Sequence, residues 1–308
     1  MQKAYITALY DLIQKDSQVV SLLSDSGTDY DELLSREFPK QCFNLGICEE
    51  HKVAAAAGLA YLGKIPFVYT TGAFLAYRAI EFIRDDVCFQ NQNVKIIGMG
   101  SGLAWSTLGP SHHTTEDVSM LRVLPNLVLL SPASPMEVKK AVQAAYKTFG
   151  PVYIRIGMSH EREIYDSDYN FEIGKNIVIS EGNDITIFTT GSIISEVLDI
   201  VEKLRTNNIS VRLINVHSLN PFDKASVLKA AMETRHIFSV EEHSITGGLG
   251  SIISEILADE NVNIRFKRIG LPNCFGKGYG THSEIRKINN LDSESIYLTI
   301  RNELNKKT

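Results

Sequence analysis

Apolar runs of strand length alternate with segments of helical periodicity along the whole chain. That alternation restricts the fold to α/β architectures with mostly parallel sheets. Strands are predicted over 18–24, 65–70, 94–99, 127–131 and 152–156, and helices over 2–15, 53–62, 73–84 and 135–148. Between 100 and 115 lies an irregular loop rich in Gly, Ser and Thr. Residues 157–180, GMSHEREIYDSDYNFEIGKNIVIS, are polar and hold no period. A linker is placed there, over 166–180, between a first domain at 1–165 and a second at 181–308. The second unit repeats the alternation, with strands at 185–189, 211–216, 236–240 and 264–269 and helices at 195–204, 224–232 and 248–257. A chain of 308 residues accommodates two such domains. The expected fold is therefore two consecutive parallel-sheet α/β domains.

Composition excludes several classes of function. A net charge of −5 offers no basic field to nucleic acid or an anionic membrane. The longest weakly polar stretch, Val53 to Gly63, is too short to span a bilayer. The opening MQKAYITALYDLIQKD has no apolar core followed by a small-residue cleavage site, so a cytoplasmic protein is expected. Cys42, Cys48, Cys88 and Cys274 form no CxxC pair and read as reduced structural thiols.

The most informative segment is NLGICEEHKVAAAAGLA, residues 44–60. Glu49, Val53, Ala56 and Ala60 share one helical face, apolar except at its first position. Glu49 is thus a carboxylate at the start of a helix, aimed into a packed interface. It reads either as an acid/base group whose burial raises its pKa or as a complement to the helix dipole. Spacing alone leaves both open.

GICEEHKVAAAAGLA resembles the transketolase signature, Gly-Ile-x-Glu followed nine residues later by Gly and a small apolar pair. Gly46, Glu49 and Gly58 match it without a gap. The resemblance implies thiamine diphosphate as cofactor, with Glu49 bonding the distal ring nitrogen of its aminopyrimidine. A carboxyl there favours the imino tautomer that removes the thiazolium C2 proton, so the cofactor carries the hard step and the protein tunes it. TGAFLAYRAI, residues 71–80, is similar to the family segment that packs aromatic rings on the aminopyrimidine. It assigns Phe74 and Tyr77 to that wall and puts Ile80 where many relatives carry a third aromatic. The loop LGPSHHTTEDVSMLRVLPN, residues 108–126, resembles the family's Gly-Pro-Thr-His region. His112 takes the active-site histidine position, suited to an oxygen of the donor sugar, and His113 completes a pair. Asp25, closing the first strand, sits like the aspartate of a Gly-Ser-Ala-Asp motif. SVEEHSITGGLGS, residues 239–251, is similar to the signature of the family's third domain. Its glycines read as tight-turn residues rather than a nucleotide site.

The family holds the cofactor's pyrophosphate through Mg²⁺ and a Gly-Asp-Gly motif. That motif does not occur in this chain. The resemblance covers only the pyrimidine-binding and third domains, which implies a separate N-terminal transketolase subunit carrying the pyrophosphate and Mg²⁺ site, joined in an α2β2 complex. The substrate contacts match less well. Leu108 stands in place of an acidic residue that reads a donor hydroxyl, Gly100 in place of a donor histidine and Met158 in place of a phosphate-binding arginine. Arg155 is the cation nearest in sequence to compensate. Losing polar contacts changes selectivity strongly, so substrates other than the standard pentose phosphates are expected. The leading function is transfer of a two-carbon ketol unit from a ketose to an aldose. The alternatives are a deoxyxylulose-phosphate-synthase-like enzyme or 2-oxo acid dehydrogenase beta chain, and a non-catalytic partner that keeps the fold.

Overall fold

The computed structural model describes residues 1–24, 29–158 and 161–306. Along the first part run α1 (Gln2–Lys15), β1 (Val19–Leu23), α2 (Asp29–Glu37), β2 (Cys42–Asn44), α3 (Glu49–Tyr61), β3 (Ile65–Thr71), β4 (Lys95–Met99), α4 (Asp117–Leu121), β5 (Val128–Leu130), α5 (Pro135–Lys147) and β6 (Val152–Ile156). β1, β4 and β6 are buried along their whole length. Such strands need apolar residues on both faces, which is why they read as continuous runs rather than alternating ones. They join a seven-stranded sheet in the order β10 (Ser218–Asn220)-β5-β6-β4-β3-β1-β2, parallel throughout β2 to β5. α1 lays Tyr5, Leu9 and Leu12 against Val138, Ala141 and Val142 of α5 on one face. Ser134 caps α5, its Oγ accepting from the Glu137 amide, with Pro135 beginning the helix.

The second part contributes β7 (Ile177–Ser180), β8 (Ile185–Thr190), α6 (Ile194–Thr206), β9 (Val211–Asn215), β10 (Ser218–Asn220), α7 (Lys224–Glu233), β11 (His236–Ser244), α8 (Leu249–Asp259), β12 (Arg265–Leu271), α9 (His282–Ile288) and α10 (Ser293–Leu304). Its five-stranded sheet has the order β12-β11-β8-β9-β7, with β7 antiparallel at the edge. Two features depart from the sequence reading. β7 lies inside the stretch assigned to the linker. β10 leaves the second sheet and pairs antiparallel with β5 of the first, Ser218 opposite Leu130. One apolar cluster accordingly runs from Val53 and Leu75 through Phe188 and Ile214 to Leu249 and Ile253, binding the two sheets into one body. No described helix is long and apolar enough to cross a membrane.

The segment 73–84, predicted as one α-helix, is wound more widely. Phe74–Arg78 and Ile83–Cys88 are π-helical turns around a short α-helical stretch, Ile80–Phe82. A π turn needs more residues per revolution. It keeps residue i+4 near residue i and swings i+3 aside.

Candidate active site

Parallel sheets bind ligands beyond the carboxyl ends of their strands, and a cavity of about 220 Å³ lies there. Ser24 follows β1, Thr70 and Thr71 end β3, Met99 ends β4 and Met158 follows β6. All five line it, joined by Gln2, Ile47, Glu49, Phe74, Trp105, Leu108 and His112. Glu49 is the first residue of α3 and only 1% exposed. It is the cavity's one acidic residue among those lining it, and the described lining holds no Lys or Arg. Arg78 donates from Nη1 to Glu49 Oε2 at 2.7 Å. The same guanidinium lies 5.1 Å from the centre of the Phe74 ring, an i to i+4 contact along the turn.

Phe74 meets His112 edge-on at 4.9 Å between ring centres, and Trp105 approaches His112, also edge-on, at 6.2 Å. His112 sits on a tight turn in which its amide donates to the Gly109 carbonyl at 3.0 Å. Gly109 has φ +74°, and an added Cβ would lie 2.4 Å from Tyr279, so this turn demands glycine. Ser111 Oγ lies 3.0 Å from His112 Nδ1. The arrangement is a buried carboxylate, an aromatic edge and an imidazole around a hollow lined otherwise by apolar side chains and the uncharged polar Gln2, Ser24, Thr70 and Thr71. It suits a heteroaromatic ring with a basic nitrogen, held beside an oxygen-bearing substrate.

The second domain braces this loop. Glu242 accepts from the Leu103 amide at 2.6 Å, from His282 Nε2 at 2.6 Å and from Arg286 Nε at 2.7 Å. Burial alone would raise its pKa, yet Arg286 and His282 hold the carboxyl well below the usual range. Ser244 donates its amide to Thr115 O at 2.8 Å.

Of the residues singled out in the sequence, Glu49, Phe74, His112 and Leu108 meet at the cavity, as does Met158. Three do not. Tyr77, swung aside by the π turn, accepts from the Thr115 and Glu116 amides at 3.1 Å and donates to Glu116 Oε2 at 2.7 Å. It clamps the loop instead of walling the cavity. His113 is buried beside Leu103 and Gly276, with neither ring nitrogen bonded among the described residues, and burial lowers its pKa. Arg155 is corrected from substrate contact to structural ion pair. It grips Asp117 through Nε at 3.0 Å and Nη2 at 3.2 Å, and Nη2 also donates to Thr114 O. Asp25 lies outside the described residues. Sequence reasoning missed Arg78 and Trp105. The first meets Glu49 across 29 residues of sequence, and the second carried no signal beyond being the chain's single tryptophan.

Fold and cavity together define two α/β domains with mostly parallel sheets and a ligand-sized hollow at the strands' carboxyl ends. Residues 1–160 match the family described as "Transketolase, pyrimidine binding domain" and residues 174–296 match "Transketolase, C-terminal domain". The chain belongs to the transketolase family. A protein described as a putative transketolase C-terminal section, from Methanocaldococcus jannaschii, is 34% identical over 99% of this chain and 96% of its own length. One of the subunits of an apulose-4-phosphate transketolase from Actinobacillus succinogenes is 35% identical over 85% of this chain and 84% of its own. A solved structure described as "Split gene transketolase, inactive beta4 tetramer" superposes with a TM-score of 0.91 at 33% identity, covering 100% of this chain and 99% of that one.

Proposed function

We propose that this chain is the small, C-terminal subunit of a split transketolase, transferring a two-carbon ketol unit from a ketose to an aldose in the cytoplasm. A separate N-terminal subunit supplies the pyrophosphate and Mg²⁺ site, and two copies of each chain form the working α2β2 complex. The observation that carries the reading is the buried Glu49 lining one cavity with Phe74 and His112, in a chain without Gly-Asp-Gly. Relatives of nearly the same length support the split.

Thiamine diphosphate, when bound, supplies the nucleophilic carbon and the electron sink for carbon–carbon cleavage. The chain's own residues do the rest. Glu49 bonds the aminopyrimidine ring nitrogen and holds or yields a proton there. Phe74 flanks that ring. His112 hydrogen-bonds the donor's carbonyl or hydroxyl oxygen and stabilises charge gathering on it. Trp105, Leu108, Met99, Ile47 and Met158 form an apolar wall beside these groups.

That wall also bears on the substrate. Leu108 and Met158 present apolar atoms to the cavity, and Arg155 is spent on Asp117. A phosphorylated pentose finds no cation of this chain among the described lining residues. The test is a donor panel on the reconstituted complex: xylulose 5-phosphate, fructose 6-phosphate and unphosphorylated ketoses. Xylulose 5-phosphate is expected to fall short of ~10⁴ M⁻¹s⁻¹ in kcat/KM. Turnover above that value, ahead of every other donor, would show these positions to be neutral.

A further inference from the structure

Arg78 is the one side-chain donor to the Glu49 carboxylate among the described residues, its Nη1 2.7 Å from Oε2. The other polar groups of the cavity wall do not reach that carboxylate. Gln2 donates to Tyr69 instead, and Ser24 accepts from Lys52. The Arg78 guanidinium also stands over the Phe74 ring, 5.1 Å from its centre. One cation thus touches both Glu49 and Phe74, the two groups that would surround an aminopyrimidine. Arg78 is not itself among the residues lining the cavity. It reaches a bound ring only through these two neighbours. The last torsion of a glutamate side chain is broad and roughly twofold. A carboxylate without a fixed donor can therefore turn either oxygen inward. A guanidinium is planar, and lying over an aromatic ring while donating to a carboxylate restrains its own orientation.

We propose that Arg78 is a positioning residue for the aminopyrimidine: its guanidinium ties Glu49 Oε2 to Phe74 and so leaves Oε1 as the oxygen that meets the ring nitrogen. The inference rests on the transketolase reading above. It gives the Arg78–Glu49 pair a task other than stability, to which an ion pair with one partner 45% exposed adds little.

Arg78→Met keeps an unbranched stem and removes the guanidinium. It is compared with wild type in the complex with the N-terminal subunit, at saturating thiamine diphosphate and Mg²⁺. C2 proton exchange on the cofactor should fall roughly ten- to a hundredfold, the scale for a misplaced reacting group, while the thermal midpoint stays close to wild type. Millimolar guanidinium should restore part of the exchange in Arg78→Met. Urea, which has the shape without the charge, should not. In a Glu49→Gln background Arg78→Met should cost less than twofold further, because Arg78 acts through that carboxylate. Wild-type exchange in Arg78→Met would overturn the proposal. So would a full additional loss in the Glu49→Gln background, or a loss that guanidinium leaves untouched and that follows a large drop in thermal midpoint, since each places Arg78 in general scaffolding. A wild-type complex without C2 exchange overturns the parent reading as well, and is told apart by that readout.

Discussion

Arg78 Nη1 lies 2.7 Å from Glu49 Oε2, while Oε1 of the same carboxylate has no donor among the described residues. One oxygen is neutralised from the solvent side and the other remains an acceptor in a group 1% exposed. This arrangement keeps a buried carboxylate without satisfying it completely. Glu49→Gln preserves size and packing but removes the charge that stabilises a protonated ring nitrogen. The complex should still assemble, and C2 proton exchange should fall by about 100-fold or more. Exchange at the wild-type rate would reduce Glu49 to a helix-start residue and move attention to Glu50→Gln.

Arg78 itself is 45% exposed, so its contribution to stability is discounted for solvent screening. Arg78→Ala should lower the unfolding free energy by only about 1 kcal/mol. Urea unfolding of the isolated chain measures this, and a loss several times larger would mean that the pair behaves as fully buried.

The isolated chain should show no ketol transfer and gain it on mixing with the N-terminal subunit. Isothermal titration of thiamine diphosphate with Mg²⁺ is the direct check. Micromolar binding to this chain alone would contradict a site shared between two polypeptides.

Glu242 ties the histidine loop to the second domain: it accepts from the Leu103 amide, His282 Nε2 and Arg286 Nε, and pairs with Arg286 Nη2 at 2.6 Å. Glu242→Ala leaves Arg286 buried with Glu196 as its one carboxylate partner among the described residues. The expected cost is about 3–5 kcal/mol, the range for breaking a buried pair on one side. The urea midpoint reports it, and a shift within the error of wild type would mean that the loop is anchored elsewhere.

The parts of this site visible in the sequence were those carried by local register. Glu49 was legible because a single carboxylate heads an apolar helical stripe, and Phe74 and His112 because short motifs fix their neighbours. Tyr77 was misplaced because periodicity assumes α winding, and the π turn at Phe74–Arg78 changes which residues share a face. Arg155 was misassigned because its partner, Asp117, lies 38 residues away in sequence and only the folded sheet brings them together. The fold class followed from alternation alone. The return of β10 to the first sheet did not, since three residues at an edge carry no periodic signal.

His243 offers a test of the domain junction through pH. Its Nδ1 donates to the Ser244 carbonyl at 2.7 Å, so the neutral ring carries its proton there, and Nε2 stands 3.9 Å from Asp117 Oδ1. Burial pulls its pKa down to about 4; Asp117 and Glu116 oppose the shift and Arg155 adds to it. Between about 4 and the ordinary value of 6.5, the unfolded chain binds a proton that the native chain refuses. The stability owed to this group is therefore complete above 6.5 and is lost as pH falls toward 4. Its neighbour Glu241, 3.7 Å from Nδ1, works in the opposite sense. Burial pushes that carboxyl up to about 7, so its contribution is complete below the ordinary 4.5 and is lost as pH rises through 7. The two slopes oppose each other in wild type, so only a difference profile isolates either. His243→Gln keeps a donor for Ser244 and cannot titrate. The stability of wild type minus that of His243→Gln should decline by up to about 3 kcal/mol as pH is lowered from 7 to 4. Urea unfolding of both proteins across that range gives the curve, and a flat difference would show that His243 takes up its proton equally well in the folded chain.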